Sequence, residues 1–207
     1  MLEAPVKQTK GERTASRIMD VAEDLFAKRG YDGTSLRQIA EAADIKEPGI
    51  YNHFSGKKGL YEAVLFRALN PMADALAESL DQANGLHDYT DLPSVMTDML
   101  LEHPQMAALF QQALQGDDDS VGNRLVQGWL DGLFNQGLQS MEGMGTSGTS
   151  DRELMALNVI AMFNLVTGYF LSQRAFTAMA GGDITNPETI EKQKRLLHKV
   201  IRAMLIS

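Results

Sequence analysis

The amino-terminal third of the chain contains the segments that decide its fold: RIMDVAEDLFAKRG at residues 17–30, TSLRQIAEAADIKEPGIYNHF at 34–54 and KKGL at 57–60. Apolar residues recur in the first two segments every three or four positions, as in helices that bury one face. A tight turn is predicted inside the second segment, so the sequence indicates three short helices followed by a fourth. In such an arrangement the third helix would be exposed and able to lie in a DNA major groove.

The first predicted helix has one apolar and one charged face. Gly30 ends it, because glycine adopts a left-handed conformation at little cost. Glu23 and Asp24 are expected on the charged face, in contact with water. The stripe predicted to face the core consists of Ile18, Val21, Ala22, Leu25 and Phe26.

Polar residues and a proline mark the turns on either side of the second helix. Thr34 or Ser35 is placed to cap that helix by bonding its free N–H groups. Asp44 is expected in the following turn, because aspartate is one of the few non-glycine residues that tolerate a left-handed conformation. Pro48 suits the first turn of the third helix, where its missing N–H would be unpaired in any case. Ile50 would anchor that helix in the core.

Four elements of this region form a spaced pattern: Thr34, the pair Ile39-Ala40, the run Tyr51-Asn52-His53-Phe54, and Lys57. Over roughly residues 11–70 the chain resembles the amino-terminal domain of the TetR family of bacterial transcriptional regulators. The resemblance implies a helix-turn-helix domain in which Tyr51 and Lys57 contact phosphates, with the third helix nearest the bases. The candidate DNA-binding residues are Thr34, Ser35, Arg37, Lys46, Glu47, Gly49, Tyr51, Asn52, His53 and Lys57.

Two positions depart from the family pattern. Asp44 stands where the family usually has glycine in the turn. Gly49 stands where a hydroxyl- or methyl-bearing residue is common. The second departure argues against a direct base contact from position 49.

Each candidate residue also has a simpler structural interpretation. Lys57 and Lys58 begin the fourth helix, whose first N–H groups would form a phosphate site, but they also suit an ordinary solvated helix start. His53 alone is more often a packed or capping histidine, and Tyr51 could be half-buried core. Glu47 could accept a hydrogen bond from a cytosine amino group, or it could merely pair with Lys46 or point away. The joint spacing, rather than any single residue, favours the DNA interpretation.

The net charge of −8 is unevenly distributed along the chain. Residues 1–60 contain ten Lys or Arg and nine Asp or Glu, whereas residues 61–207 contain nine and eighteen. An acidic second part should suppress indiscriminate DNA binding. Lys7 and Lys10 predict a flexible basic arm over residues 1–12.

Composition and motifs argue against an enzyme. The chain has no cysteine, which excludes a disulfide framework, a thiolate metal site and a cysteine nucleophile. The glycine-rich segment at 143–150 lacks the lysine of a phosphate-binding loop, and the histidines are scattered. We expect no cofactor and no metal. No stretch is expected to approach the roughly 20 apolar residues of a membrane helix, so the chain is predicted to act in the cytoplasm, away from membranes.

The rest of the chain reads as successive helices, which makes the predicted fold class all-α. Pro71 is expected to kink or break the fourth helix. We assign residues 13–70 to the helix-turn-helix DNA-binding domain and residues 71–207 to a helical bundle for ligand binding and dimerisation. One long apolar helix is predicted over residues 151–180, and a final helix begins near Pro187.

Methionine and aromatic side chains concentrate in this second part. For any one of them, hydrophobic core is the simpler interpretation. As a set they suit an adaptable apolar pocket, because thioethers repack easily around varied ligands. Asn164 and Gln173 are candidate polar groups for the ligand, although a backbone bond or a dimer contact is an equal alternative for Asn164. The candidate ligand-binding residues are Met96, Met99, Phe110, Trp129, Leu133, Phe163, Asn164 and Gln173.

Residues 151–206 resemble the helix pair with which TetR-like regulators form dimers. Ala161 and Gly168 would allow close helix approach, and Leu197 and Ile201 are expected at the interface. The sequence therefore predicts a homodimer bound to a near-palindromic double-stranded DNA operator and released by a small apolar effector, more as a repressor than as an activator. A helical enzyme or an apolar-ligand carrier with a degenerate helix-turn-helix head is the alternative.

Overall fold

The computed structural model describes residues 9–82, 86–143 and 152–206. All regular secondary structure within these ranges is helical, which confirms the all-α prediction. The glycine-rich segment falls almost wholly outside them. The helices are α1 (Lys10–Arg29), α2 (Leu36–Ala42), α3 (Lys57–Asp81), α4 (Leu92–Glu102), α5 (Gln105–Gln115), α6 (Val121–Gly143), α7 (Arg152–Leu171), α8 (Gln173–Ala180) and α9 (Pro187–Ile206), with 3₁₀ helices at Glu47–Asn52 and Leu86–Asp91.

The first compact unit of the chain is Met1–Phe66. In this unit α2 packs against both α1 and the 3₁₀ helix Glu47–Asn52. The core that joins them contains Phe26, Ile39 and Ile50, all fully buried. Glu23 was expected in water, but it is buried. Since apolar residues of α1 flank it on both sides, its position on the helix follows the stripe of the core rather than the polar face.

The start of α1 differs from the predicted arm over residues 1–12. Thr9 caps the helix: its hydroxyl accepts a hydrogen bond from the Glu12 N–H at 3.2 Å, and the Thr9 N–H donates to the Glu12 carboxylate at 2.7 Å. This reciprocal pair is a capping box, which satisfies two otherwise unpaired groups at a helix start. Lys10 therefore belongs to α1, whereas Lys7 lies outside the described residues.

The second compact unit is Arg67–Ser207. The boundary between the two units thus lies within α3, four residues before the predicted domain boundary after residue 70. In this unit α5 packs against α6 and α7, and α4 packs against α9. Pro71 lies inside α3, so it does not break the helix, and the alternative of a kink stays a prediction. Leu69 and Met72, on either side of the proline, are buried. Their packing offsets the hydrogen bond that proline removes.

The predicted single helix over residues 151–180 is in fact two helices, α7 and α8. At Ser172 the chain tightens, because the Ser172 N–H donates to the Tyr169 carbonyl at 2.9 Å. The Ser172 hydroxyl also donates to the Gly168 carbonyl at 2.7 Å. These local bonds divert the serine from the regular helical pattern. Gly181 then ends α8 in a left-handed conformation, with φ of 71°.

The helix α7 is long and apolar enough to cross a membrane by length and composition alone. The expectation that no stretch approaches a membrane helix is therefore wrong. Of an apolar 18-residue stretch of this helix, 28% is buried. Since α7 is apolar on nearly all sides, part of its apolar surface is left uncovered by the described residues.

Candidate functional site

The turn between α2 and the 3₁₀ helix holds the amino-terminal site in place. Asp44 has a positive φ of 52°, as predicted for this turn. The Ile45 N–H reaches back to the Ala40 carbonyl at 3.0 Å, which closes the turn. Ala43 is buried beside it. A buried turn of this kind fixes the direction in which the next helix leaves α2.

The segment after the turn, Lys46–His53, exposes polar side chains while one apolar residue holds it in the core. Ile50 is fully buried, whereas Tyr51 is 58% exposed. The alternative that Tyr51 is half-buried core is thus excluded. Lys46 and Asn52 are exposed as well. We call this exposed segment, residues 46–53, the recognition segment.

Three further candidate DNA-binding residues lie in the recognition segment. Glu47 and Gly49 are partly exposed, and His53 is exposed. A Cβ atom at Gly49 would meet only the Ile45 Cδ1 atom, at 3.8 Å. That is an ordinary contact, so the fold does not require glycine there. Gly49 gives the recognition segment a bare main-chain surface at this point.

The start of α2 separates two residues that the sequence grouped together. Ser35 caps α2, since its hydroxyl accepts from the Gln38 N–H at 3.2 Å and its N–H donates to the Gln38 side chain at 2.9 Å. Ser35 and Arg37 remain exposed. Thr34 is only 2% exposed, and its hydroxyl donates to the Gly30 carbonyl at 2.9 Å. Thr34 is therefore removed from the candidate DNA set, because its side chain links the end of α1 to the start of α2.

Lys57 is the first residue of α3, where unpaired N–H groups favour an anion. Gly56 precedes it with φ of 124°, a conformation that suits glycine. The Lys57 Nζ atom lies 4.3 Å from the centroid of the Tyr31 ring. Tyr31 is not among the residues predicted from sequence, although an aromatic residue directly after the glycine that ends α1 is a signal that could have indicated it.

The candidate ligand residues of the second unit partly come together. The ring of Phe163 lies 6.2 Å from both Phe110 and Trp129, measured between centroids. Phe110, Phe163 and Met96 are buried, as is Leu133, while Trp129 and Met99 are half-buried. Within the described part of the chain, the buried Trp129 Nε1 atom has no hydrogen-bond acceptor. An apolar cluster thus contains one unsatisfied donor.

The two predicted polar groups do not belong to this cluster. The Asn164 amide donates to the Ile160 carbonyl at 2.9 Å and accepts from Gln111 at 3.0 Å, and the residue is exposed. The backbone bond that was one alternative for Asn164 is therefore present. The Gln173 amide donates to Thr177 at 2.8 Å and accepts from the Ile184 N–H at 3.1 Å. Gln173 therefore joins α8 to the segment that follows it.

An all-α fold with a helix-turn-helix and an exposed recognition segment defines a class of DNA-binding proteins. Residues 18–64 match the family described as bacterial regulatory proteins, tetR family. Over these residues the chain is similar to the amino-terminal domain of that family.

Curated relatives match only part of the chain. The negative transcriptional regulator IcaR of the biofilm operon icaADBC, from Staphylococcus aureus, is 48% identical over 46 residues, which are 22% of this chain and 25% of IcaR. The helix-turn-helix-type transcriptional regulator YvkB of Bacillus subtilis is 37% identical over 92 residues, 44% of this chain and 46% of YvkB. The chain thus aligns with less than half the length of these curated relatives.

Solved structures resemble the chain over nearly its whole length. A TetR-like transcriptional regulator from Rhodococcus sp. RHA1 gives a TM-score of 0.68 at 20% identity, covering 97% of this chain and 100% of that one. The fatty acid degradation regulator FadR from Bacillus halodurans gives a TM-score of 0.65 at 17% identity, covering 88% and 97%. At these identities the likeness concerns the fold alone.

Proposed function

We propose that this chain is a TetR-family regulator, and that it is a homodimeric repressor that binds a near-palindromic double-stranded DNA operator and is released by a small apolar effector. The observation that carries the DNA-binding role is the recognition segment, which exposes Lys46, Tyr51 and Asn52 while Ile50 anchors it. Repression is supported by the relative IcaR, which is a negative regulator. A protein that acts on chromosomal DNA in a bacterium works in the cytoplasm.

In this proposal two groups of residues have different tasks on DNA. Tyr51 and Lys57 bind phosphates, which positions the domain but carries no sequence information. Lys46 and Asn52 face the bases, where lysine can donate to guanine and asparagine can pair with adenine. Glu47, Gly49 and the exposed residues at the start of α2 complete the contact surface.

Dimerisation is supported by the surface of α7. Exposed or partly exposed residues recur along one side of the helix at alternating spacings of three and four, the pattern of helices that pack side by side. Gly168 has open space around its missing Cβ, so a second helix could approach closely there. We name this side the α7 seam; it consists of Leu154, Leu157, Ala161, Asn164, Gly168 and Leu171.

The contribution of α9 to the dimer differs from the one predicted. Leu197 and Ile201 are buried within one subunit, so they cannot form the interface. Leu196, one position away, is 57% exposed. Since α9 packs against α7, Leu196 can extend the apolar surface of the α7 seam. A second copy of the chain is the proposed occupant of this surface.

Effector binding is proposed at the cluster of Phe110, Trp129 and Phe163. A buried N–H without an acceptor is unfavourable, by about 1–3 kcal/mol. An effector that buries apolar surface among these rings and offers an oxygen acceptor to Trp129 Nε1 would remove that penalty. The helix α3 contains both Lys57 and residues of the second unit, so a ligand that prefers another position of α3 would weaken the DNA complex. A coupling of ~1–3 kcal/mol corresponds to a 5- to 150-fold loss of operator affinity.

The substitution Trp129→Phe tests this effector site, because it keeps an aromatic ring but removes the indole N–H. Hydrophobic metabolites are first screened by Trp129 fluorescence, and each hit is then measured by calorimetry and by operator release. For hits that carry an acceptor, Trp129→Phe should weaken binding roughly 2- to 12-fold, as expected for one hydrogen bond. Hits that lack an acceptor serve as controls and should bind both proteins equally.

Two results would contradict the effector proposal. Equal affinity of all hits for the wild type and for Trp129→Phe would place the ligand elsewhere. Hits that bind without disturbing the DNA complex would disprove the coupling through α3.

The alternative functions are a helical enzyme and an apolar-ligand carrier. Neither requires sequence-specific binding of duplex DNA, whereas the proposed repressor does. Genomic fragments of the source bacterium, retained by the dimer and sequenced, should share a near-palindrome with two half-sites on one face of the duplex. Lys46→Ala or Asn52→Ala should change which sequences are retained. Retention without any shared sequence, or no retention, would favour the carrier or the enzyme.

A further inference from the structure

Three aromatic rings of the first unit form a compact cluster next to the start of α3. Phe26 and Tyr61 are buried and meet edge to face, with centroids 5.0 Å apart. Tyr31 lies 4.9 Å from Tyr61 and stacks on Phe26 at 6.0 Å. The ring of Tyr31 is therefore held in place by two neighbours while it remains partly exposed itself.

The Lys57 ammonium lies over this held ring, 4.3 Å from its centroid. A cation within about 6 Å of an aromatic centroid is attracted by the negative face of the ring. Burial raises the pKa of the Tyr31 hydroxyl, and the carboxylates of Asp32 and Glu62 raise it further. The phenol is thus neutral around neutral pH, and Lys57 interacts with the ring face rather than with a phenolate.

A lysine side chain is long and flexible, so ordering it for a phosphate contact costs entropy. The Tyr31 ring reduces this cost because it holds the ammonium near the start of α3 before DNA arrives. A lysine ammonium has three donors, so those that point away from the ring stay available to an oxygen acceptor. By contrast, the neighbouring Lys58 lies 3.9 Å from the Glu62 carboxylate, on its own helix.

We propose that Tyr31 is a positioning residue for DNA binding, whose ring holds the Lys57 ammonium at the start of α3, ready for an operator phosphate. This inference rests on the proposed phosphate contact of Lys57. Tyr31 itself touches no DNA in the proposal. Its effect on operator affinity therefore exists only while Lys57 is present.

A double-mutant cycle on operator binding tests the inference. Tyr31→Leu should lower operator affinity about two- to fivefold, the strength of an exposed cation–π contact. Tyr31→Phe keeps the ring and should retain wild-type affinity. In the Lys57→Ala background, Tyr31→Leu should have no further effect. A merely structural role of Tyr31 would instead lower affinity equally in both backgrounds, and that result would overturn the inference.

A second series of variants at position 31 tests the inference even if Tyr31→Leu does not fold. Phenylalanine analogues with increasing numbers of ring fluorines at position 31 keep the ring's shape but weaken its negative face. Affinity should fall with each added fluorine, and an unchanged affinity across the series would overturn the positioning role. If Lys57→Ala alone leaves operator affinity unchanged, the proposed phosphate contact fails, and that failure is distinct from the failure of Tyr31 alone.

Discussion

Leu157→Glu combined with Leu196→Glu should give a folded monomer whose operator affinity is about 100- to 10,000-fold below that of the wild type. The two leucines are 56% and 57% exposed in one subunit, so glutamate would meet water in the monomer. In a dimer built on the α7 seam, the same carboxylates would be desolvated at a high cost. A monomer reaches only one half-site and loses the gain in effective concentration from the second.

Sedimentation equilibrium at micromolar concentration, followed by duplex binding at one fixed salt concentration, measures both effects. The matched control is Gln127→Glu with Gln136→Glu, which adds the same charge at exposed positions of α6. The control should remain a dimer with wild-type affinity. A dimer that persists in the leucine double variant would show that the subunits associate through another surface.

Leu197→Glu should unfold the second unit, whereas the same substitution at the adjacent, exposed Leu196 should not. Leu197 is 2% exposed, and burying an unpaired carboxylate costs several kcal/mol. Such a cost is comparable with the whole stability of a domain, about 5–15 kcal/mol. Leu196→Glu, on the same helix, should keep the wild-type helical content and a cooperative unfolding transition, with its temperature lowered only as far as dimerisation is weakened.

Circular dichroism during heating compares these two neighbouring variants directly. We expect a cooperative transition for Leu196→Glu and a strongly reduced or missing one for Leu197→Glu. Similar transitions for both variants would contradict the placement of Leu197 in the core and of Leu196 on the surface.

Local signals in the sequence were sufficient to place most helix boundaries. The helix α4 ends at Glu102, two residues before Pro104, because the residue that precedes a proline disfavours the helical conformation. The last helix likewise begins at Pro187. The recognition segment was predictable for the same reason, since its residues lie within eight positions of one another and their exposure depends on a single turn.

The features that sequence could not place depend on distant parts of the chain. Asn164 pairs with Gln111, 53 residues away, and Lys57 lies over Tyr31, 26 residues away. Helical periodicity relates residues only three or four positions apart, so it does not predict such pairs. Apolar residues also lie on both sides of α9, so the sequence does not show which side faces the core. Only the packed structure shows that Leu197 is buried and Leu196 exposed.

The salt dependence of operator binding tests most directly whether the recognition segment and the start of α3 bind DNA. On the operator recovered from genomic DNA, Lys57→Ala should weaken binding to every sequence and flatten the slope of log affinity against log salt by about one unit, since one phosphate contact is lost. Tyr51→Phe should weaken binding further by removing a hydroxyl contact. Lys199→Ala, an equal change of charge at an exposed position of α9, should change neither affinity nor slope. Unchanged affinity and slope in the combined Tyr51→Phe and Lys57→Ala variant would contradict the assignment.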